Sequence, residues 1–302
     1  HIFCGGAERS MRCSYQSPCS PSVWSKNVMK EYIVPENTTL AAFTDNTCAQ
    51  ASFCLRRLLK ERNVRVNGVR VGSDVALRKG DVVRYYMTPA QEQKSAFSVV
   101  YEDENILVAD KASGVNSEAV FSAVGEGRRE YFIHRLDRNT AGLLVFAKTE
   151  EAERELLAAF RDRRVEKVYH ALVVGTPVPA HAVCRAYLVK DASAARVRIS
   201  EQPRGEKIVT EYEVMESRAD VSLLKVTLHT GKTHQIRAHL AYLGHPVVGD
   251  EKYGDGAFNR AHHAKRQRLV AKQLRIVCGG ALSYLSERTF FSAYSAEDEA
   301  WT

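Results

Sequence analysis

The chain has 302 residues, 43 Lys and Arg against 36 Asp and Glu for a formal charge of +7, and 45% hydrophobic side chains. That length accommodates one sizeable core and a smaller module, since domains usually run about 100–200 residues, and no apolar run reaches the ~20 residues that a membrane-spanning helix needs. The basic balance favours polyanions as partners, because Lys and Arg that neutralise phosphates release condensed counterions, but by itself it does not select nucleic acid.

Residues 1–28 hold Cys4, Cys13 and Cys19, three of the seven cysteines, and lack the basic-then-apolar order of a signal peptide. They read as an appended, disordered leader, with Met29 as the natural start. Cys48, Cys54, Cys184 and Cys278 complete the set. No C-x-x-C pair occurs, so neither a zinc site nor a disulfide framework is indicated, and the scattered thiols suit a reducing cytoplasm.

Residues 29–88 read as strand, helix, then short strands. The helix, Ala51 to Arg62, carries Phe53, Leu55, Leu58 and Leu59 at helical spacing, with Arg56, Arg57, Lys60 and Arg62 on much of the remainder. In Val64-Arg65-Val66-Asn67-Gly68-Val69-Arg70-Val71, apolar and polar residues alternate about Asn-Gly, which predicts a hairpin with a two-residue turn. Residues 51–87 contain nine basic side chains against three acidic ones, a local charge of +6. The basic helix, the V-x-V-N-G pattern at Val64–Gly68 and the L-x-x-G-D-x-V pattern at Leu77–Val83 together resemble the ribosomal-protein S-four type of RNA-binding domain. The resemblance implies that Arg56, Arg57, Lys60, Arg62 and Arg65 contact RNA. The residues alone also allow a small α+β domain with a solvated basic face.

Residues 89–97 are polar and aperiodic and read as a linker. The second domain, 98–302, is expected to place strands near 99–101, 105–109, 142–148, 166–174, 182–189, 195–200, 207–216 and 221–229, and helices near 150–163 and 232–243. That order predicts an α+β fold with a large mixed or antiparallel sheet, preceded by the small α+β RNA-binding domain.

The segment richest in chemistry is His134-Arg135-Leu136-Asp137-Arg138-Asn139-Thr140-Ala141-Gly142-Leu143-Leu144. Arginines two residues before and one after Asp137 favour its anionic form, at the mouth of a strand that is apolar throughout. Taken alone, Asp137 reads as a salt-bridge partner more readily than as a nucleophile. The segment resembles the signature of the RluA-type pseudouridine synthases. Glu166–Gly175 resembles the K-x-Y-x-A-x-V-x-G strand of that family. Thr230–Leu240 and Gly244–Gly254 resemble its T-G-R-T-H-Q-I-R-x-H and G-H-P-I-x-G-D-x-x-Y-G blocks.

The resemblance implies an isomerase without metal or cofactor that converts uridine to pseudouridine in structured ribosomal or transfer RNA. In it Asp137 is the nucleophile, Tyr169 packs on uracil and is a candidate for removing the C5 proton, and Arg237 pairs with Asp137 through its planar fork. Arg135 enters the RNA stack vacated by the flipped base, or alternatively contacts phosphate. Without the motif, Tyr169 reads as a half-buried sheet tyrosine. Lys111-Ala112-Ser113-Gly114 departs from the family's K-P-x-G, and the segment from Gly114 to His134 is short; both changes fall in a loop expected to shape substrate choice. His229, His234 and His239 recur every five residues, a spacing that turns each side chain off its predecessor's helical face and argues against a zinc-dependent hydrolase. A non-catalytic RNA-binding protein is the remaining alternative. The protein is expected to be a monomer with RNA as its partner and no membrane association.

Overall fold

Alternating apolar residues in the first third of the chain build a small sheet. The computed structural model describes residues 28–93, 95–125, 131–191 and 196–297. The expected leader lies outside them apart from Val28. The first elements are β1 (Val28–Ile33), β2 (Thr38–Thr39), α1 (Leu40–Thr47), α2 (Ala49–Lys60), β3 (Val64–Val66), β4 (Val69–Val71), β5 (Ala76–Leu77) and β6 (Val82–Met87). Strands β1-β6-β3-β4 form one antiparallel sheet and β2 pairs with β5. The β3–β4 turn places Asn67 and Gly68 at φ 49 and 84, the doubly positive pair that an Asn-Gly hairpin turn requires. Leu40, Leu58, Val64, Val83 and Tyr85 close the core of this unit.

Within the polar stretch expected as a linker, Pro89–Glu92 and Phe97 take regular structure. Pro89–Glu92 forms the helical turn α3, in which Thr88 and Gln91 cap one another reciprocally, and Phe97 already belongs to the next strand.

The larger unit follows with β7 (Phe97–Glu102), β8 (Ile106–Lys111), α4 (Ser117–Val124), β9 (Tyr131–Phe132), β10 (Ala141–Ala147), α5 (Glu150–Arg161), β11 (Val165–Val174), β12 (His181–Asp191), β13 (Arg196–Ser200), β14 (Glu206–Arg218), β15 (Val221–Leu228), α6 (Gln235–Tyr242), α7 (Gly256–Ala261), β16 (Leu269–Ile276), a 3-10 helix at Gly280–Glu287 and β17 (Thr289–Phe291). The sheet runs β13-β12-β14-β15-β11-β16-β10-β8-β7, with β9 paired to β10 and β17 to β16. Neighbours are antiparallel except β10 and β16, which run parallel. The fold is α+β with a large mixed sheet.

At the parallel junction Gly142 has φ +116, and a Cβ there would stand 2.3 Å from the Ala271 carbonyl oxygen. Glycine is required for β16 to approach. Strands β8 and β10 are buried at every position because both faces are covered. Leu144, Phe146 and Tyr169 meet Val120 of α4 and Ile236 and Leu240 of α6 on one side. Val108, Val145 and Leu274 meet Leu156 of α5 and Leu282 and Leu285 on the other. Each fully buried Leu contributes roughly 1.5–3 kcal/mol. No helix among the described residues is long and apolar enough to cross a membrane.

Candidate active site

Asp137 lies on the loop that enters β10, and hydrogen bonds hold the backbone of that loop residue by residue. Ser117, buried at the start of α4, accepts from Leu136 N at 2.9 Å and donates to Leu136 O at 3.1 Å. Thr140 N donates to Asp137 O at 3.0 Å, Gly114 N to Arg138 O at 2.9 Å, and Ser113 Oγ to Asn139 O at 3.0 Å. Lys111 has no exposed surface, and its Nζ donates to the carbonyl oxygens of Ala112, Val115 and Arg138 at 3.0, 2.8 and 3.1 Å. Burial pulls its pKa down to about 7, although the nearby Asp137 charge acts to raise it. The 111–114 segment, where the sequence departs from the family pattern, is thus the cradle of the Asp137 loop. Such preorganisation matters because small misplacements of a reacting group cost large factors in rate.

The flanking arginines do not hold the Asp137 charge, contrary to the sequence expectation. Arg135 Nη1 pairs with Glu118 at 3.1 Å, and Arg138 turns to Asp45. Successive side chains on an open segment diverge, so the neighbours in sequence face other partners. The counter-charge comes from α6, where Arg237 Nη1 donates to Asp137 Oδ2 at 2.8 Å. The fork of Arg237 is bidentate to a different carboxylate, Asp250, with Nε–Oδ2 at 2.6 Å and Nη2–Oδ1 at 3.0 Å. One guanidinium therefore bridges two carboxylates, and it stacks 5.2 Å over the Tyr253 ring. Burial opposes its charge, but the hydrogen bonds and charges of Asp250 and Asp137 outweigh that and raise its pKa. Asp250 is likewise burdened by burial, yet Arg237 and the amides of Tyr253 and Lys252 hold its carboxyl below the usual range. Asp250 was missed as a site residue; its signal was a carboxylate next to Glu251 inside the Gly244–Gly254 block, where of the two Asp250 alone is buried.

His234 was weighed only as a metal ligand. It sits at φ 56 as the residue before α6, so the helix begins three residues later than its apolar pattern suggested. Its Nε2 lies 3.9 Å from Asp137 Oδ2, and its Nδ1 meets the Tyr253 hydroxyl at 2.9 Å. That hydroxyl oxygen already accepts from Val197 N. Its proton is thereby free for Nδ1, which assigns the ring proton to Nε2, toward Asp137. Burial keeps this imidazole below its ordinary range. His229 pairs with Glu211 and His239 with Thr210, so the three histidines diverge.

Asp137, Tyr169 and Arg237 line one cavity of about 360 Å³, together with His134, Phe160 and Lys167. Tyr169 projects from β11, and burial first, then the Asp137 charge, pushes its hydroxyl well above the ordinary range. It is a neutral phenol at neutral pH. Lys167 stands 5.5 Å over the Phe160 ring, and burial lowers its pKa.

The expected RNA contacts divide. Arg56, Lys60 and Arg62 are exposed on or just beyond α2. Arg57 pairs with Glu61 at 2.8 Å, and Arg65 lies 5.1 Å over Tyr86. Arg135, with a side chain 67% exposed, is the one expected contact that also lines the cavity.

Residues 97–242 match the family described as RNA pseudouridylate synthase, a span that includes Asp137, Tyr169 and Arg237 but ends before Asp250. Ribosomal large subunit pseudouridine synthase C of Vibrio cholerae is 34% identical over 229 residues, covering 67% of this chain and 72% of that protein. Ribosomal large subunit pseudouridine synthase D of the same organism is 33% identical over 224 residues, covering 67% of this chain and 68% of that protein. Among solved structures, human RNA pseudouridylate synthase domain containing 1 superposes with a TM-score of 0.54 at 29% identity, covering 62% of this chain and 84% of that chain.

Proposed function

The chain belongs to the RNA pseudouridylate synthase family, and on that premise we propose that it isomerises uridine in ribosomal RNA with Asp137 as its nucleophile. The observation that carries the assignment is the Arg237 guanidinium bridging Asp137 and buried Asp250 in a cavity walled by Tyr169. Both Vibrio relatives are named for the large ribosomal subunit, which supports ribosomal RNA as the target.

In the proposed reaction the Asp137 carboxylate meets the positive charge developing at ribose C1′ and bonds to it as the C1′–N1 bond breaks, and uracil leaves with that electron pair. The detached base turns. Carbon 5 then bonds to C1′ and displaces the carboxylate, after which the C5 proton departs and N1 is protonated. The covalent intermediate divides one difficult step into two. Arg237 pairs with Asp137 and aims it. Tyr169 packs on the base and, as a neutral phenol, relays the C5 proton by passing on its own. Flipping the uridine out of its stack costs a few kcal/mol, which Arg135 at the cavity mouth offsets by entering the gap.

A second cavity of about 760 Å³ shares Phe160, Lys167 and Lys232 with the first and adds Arg163, Arg164 and Arg275, a lining suited to an RNA backbone. Arg56, Arg57, Lys60, Arg62 and Arg65 of the N-terminal unit add affinity in this reading, as an S-four-like module. Cys48, Cys54, Cys184 and Cys278, which carry thiols rather than disulfides, support a reducing cytoplasm. Exposed apolar side chains such as Ile33 on β1, Val178 in the β11–β12 loop and Phe291 on β17 are scattered along the fold, which supports a monomer.

The test is to incubate the chain with transcripts of large-subunit ribosomal RNA and of transfer RNA and to map pseudouridine in each. Modification of a defined ribosomal uridine is expected. Modification confined to transfer RNA would overturn the target, and none in either would overturn the activity.

A further inference from the structure

The N-terminal unit touches the cradle of Asp137 at four places. Arg138, the residue after Asp137, pairs through Nη1 with Asp45 of α1 and through Nη2 with Ser52 Oγ of α2 at 3.2 Å. Ser52 is itself buried and donates to Asp45 Oδ1, so the two acceptors are tied together before Arg138 arrives. Asn116, which precedes α4, donates to Asn46 Oδ1 at 3.0 Å. Phe53 lies against Gly114, 3.8 Å from where a side chain there would begin. Ala49 is buried within the core of the larger unit rather than its own, and α1 packs on α4.

Each of these contacts meets a residue that holds the Asp137 loop or adjoins one that does. Gly114 N binds the Arg138 carbonyl, and Ser117, next to Asn116, brackets Leu136. We propose that the N-terminal unit is a positioning part of the active site, in which Asp45 and Ser52 fix Arg138 and so aim Asp137, rather than an RNA grip alone. The inference rests on Asp137 being the nucleophile. It gives Asp45 a role in the saturated rate, where a module that only held RNA would act on affinity.

The ion pair is partly exposed, with side chains 41% and 23% accessible at Arg138 and Asp45. Such a pair adds little to global stability, so Asp45→Asn should move the melting temperature by no more than about 2 °C. The rate is the sensitive quantity, since displacing a reacting group by a fraction of an ångström costs about tenfold or more.

The experiment measures single-turnover isomerisation at saturating ribosomal RNA, together with RNA Kd, for the full chain carrying Asp45→Arg, Arg138→Asp or both. Either single change is expected to lower the saturated rate about tenfold, and the exchanged pair to recover it to within about threefold of the starting chain. Single changes that raise only Kd, or an exchanged pair no faster than the slower single variant, would overturn the proposal. Asp137→Asn in the same assay separates the two layers: if it keeps turning over, the nucleophile assignment has failed, whereas if it is inactive while Asp45→Arg runs at the full rate, only the positioning role has.

Discussion

Arg237 carries one positive charge between two carboxylates, and the unequal sharing decides what each residue does. Asp250 has no exposed side-chain surface and takes both arms of the fork, while Asp137 takes a single bond and keeps 22% of its side chain open to the cavity. In the proposed reaction the attacking carboxylate needs that freedom. Removing one partner of a buried pair leaves an uncompensated charge, so Asp250→Ala is expected to cost about 3–5 kcal/mol in urea unfolding, and a loss below about 1 kcal/mol would show that the pair is not the anchor. Tyr169→Phe keeps the ring and removes one hydroxyl. Positioned proton-transfer groups contribute about 10²–10⁴-fold, so single-turnover isomerisation should fall at least about a hundredfold while RNA binding survives; a loss under about threefold would leave Tyr169 a packing residue.

At the scale of elements, His134 before β10 and His239 in α6 are held neutral by burial, with pKa values lowered to about 3 and about 4. The unfolded chain binds their protons below the ordinary value of about 6.5. Stability is therefore full above about pH 6.5 and falls as the pH drops toward 4, with His239 alone accounting for about 1–2 kcal/mol at pH 5. His239→Gln, which retains a partner for Thr210, should flatten that decline in denaturation curves at pH 7 and pH 5; an unaltered decline would remove His239 from the account. The strands from β10 to β15 and α5 were legible from apolar periodicity because tertiary packing agrees with it, whereas β16, which enters the middle of the sheet, was not among the expected strands. Other elements were not. The apolar stripe of α2 serves two cores at once, with Leu58 inside its own unit and Phe53 against the other, and periodicity marks a stripe without telling its partners. The start of α6 was misplaced because the left-handed His234 ends a turn that Gln235 stabilises through Thr230 and Lys232, a tertiary detail invisible to pattern. The motifs pointed to Asp137, Tyr169 and Arg237, which line one cavity, whereas the division of Arg237 between two carboxylates required Asp250 to be brought beside it from 13 residues away.

The whole molecule places a charged loop where three layers converge: the sheet through β10, helix α6 through Arg237, and the N-terminal unit through Arg138. In the proposed function, affinity for RNA is spread over many basic side chains, Arg56, Lys60 and Arg62 among them, while the chemistry is concentrated on one carboxylate. These two properties should separate cleanly in a single substitution. Asp137→Asn preserves shape and most hydrogen bonding to Arg237 but removes the nucleophilic charge. Single-turnover isomerisation of a cognate ribosomal RNA, measured beside RNA Kd for this variant and the unaltered chain, tests the account most directly. The expected result is no detectable pseudouridine with Kd changed by less than about threefold, given that phosphate contacts dominate affinity; turnover near the unaltered rate would contradict the assignment of Asp137 as the nucleophile.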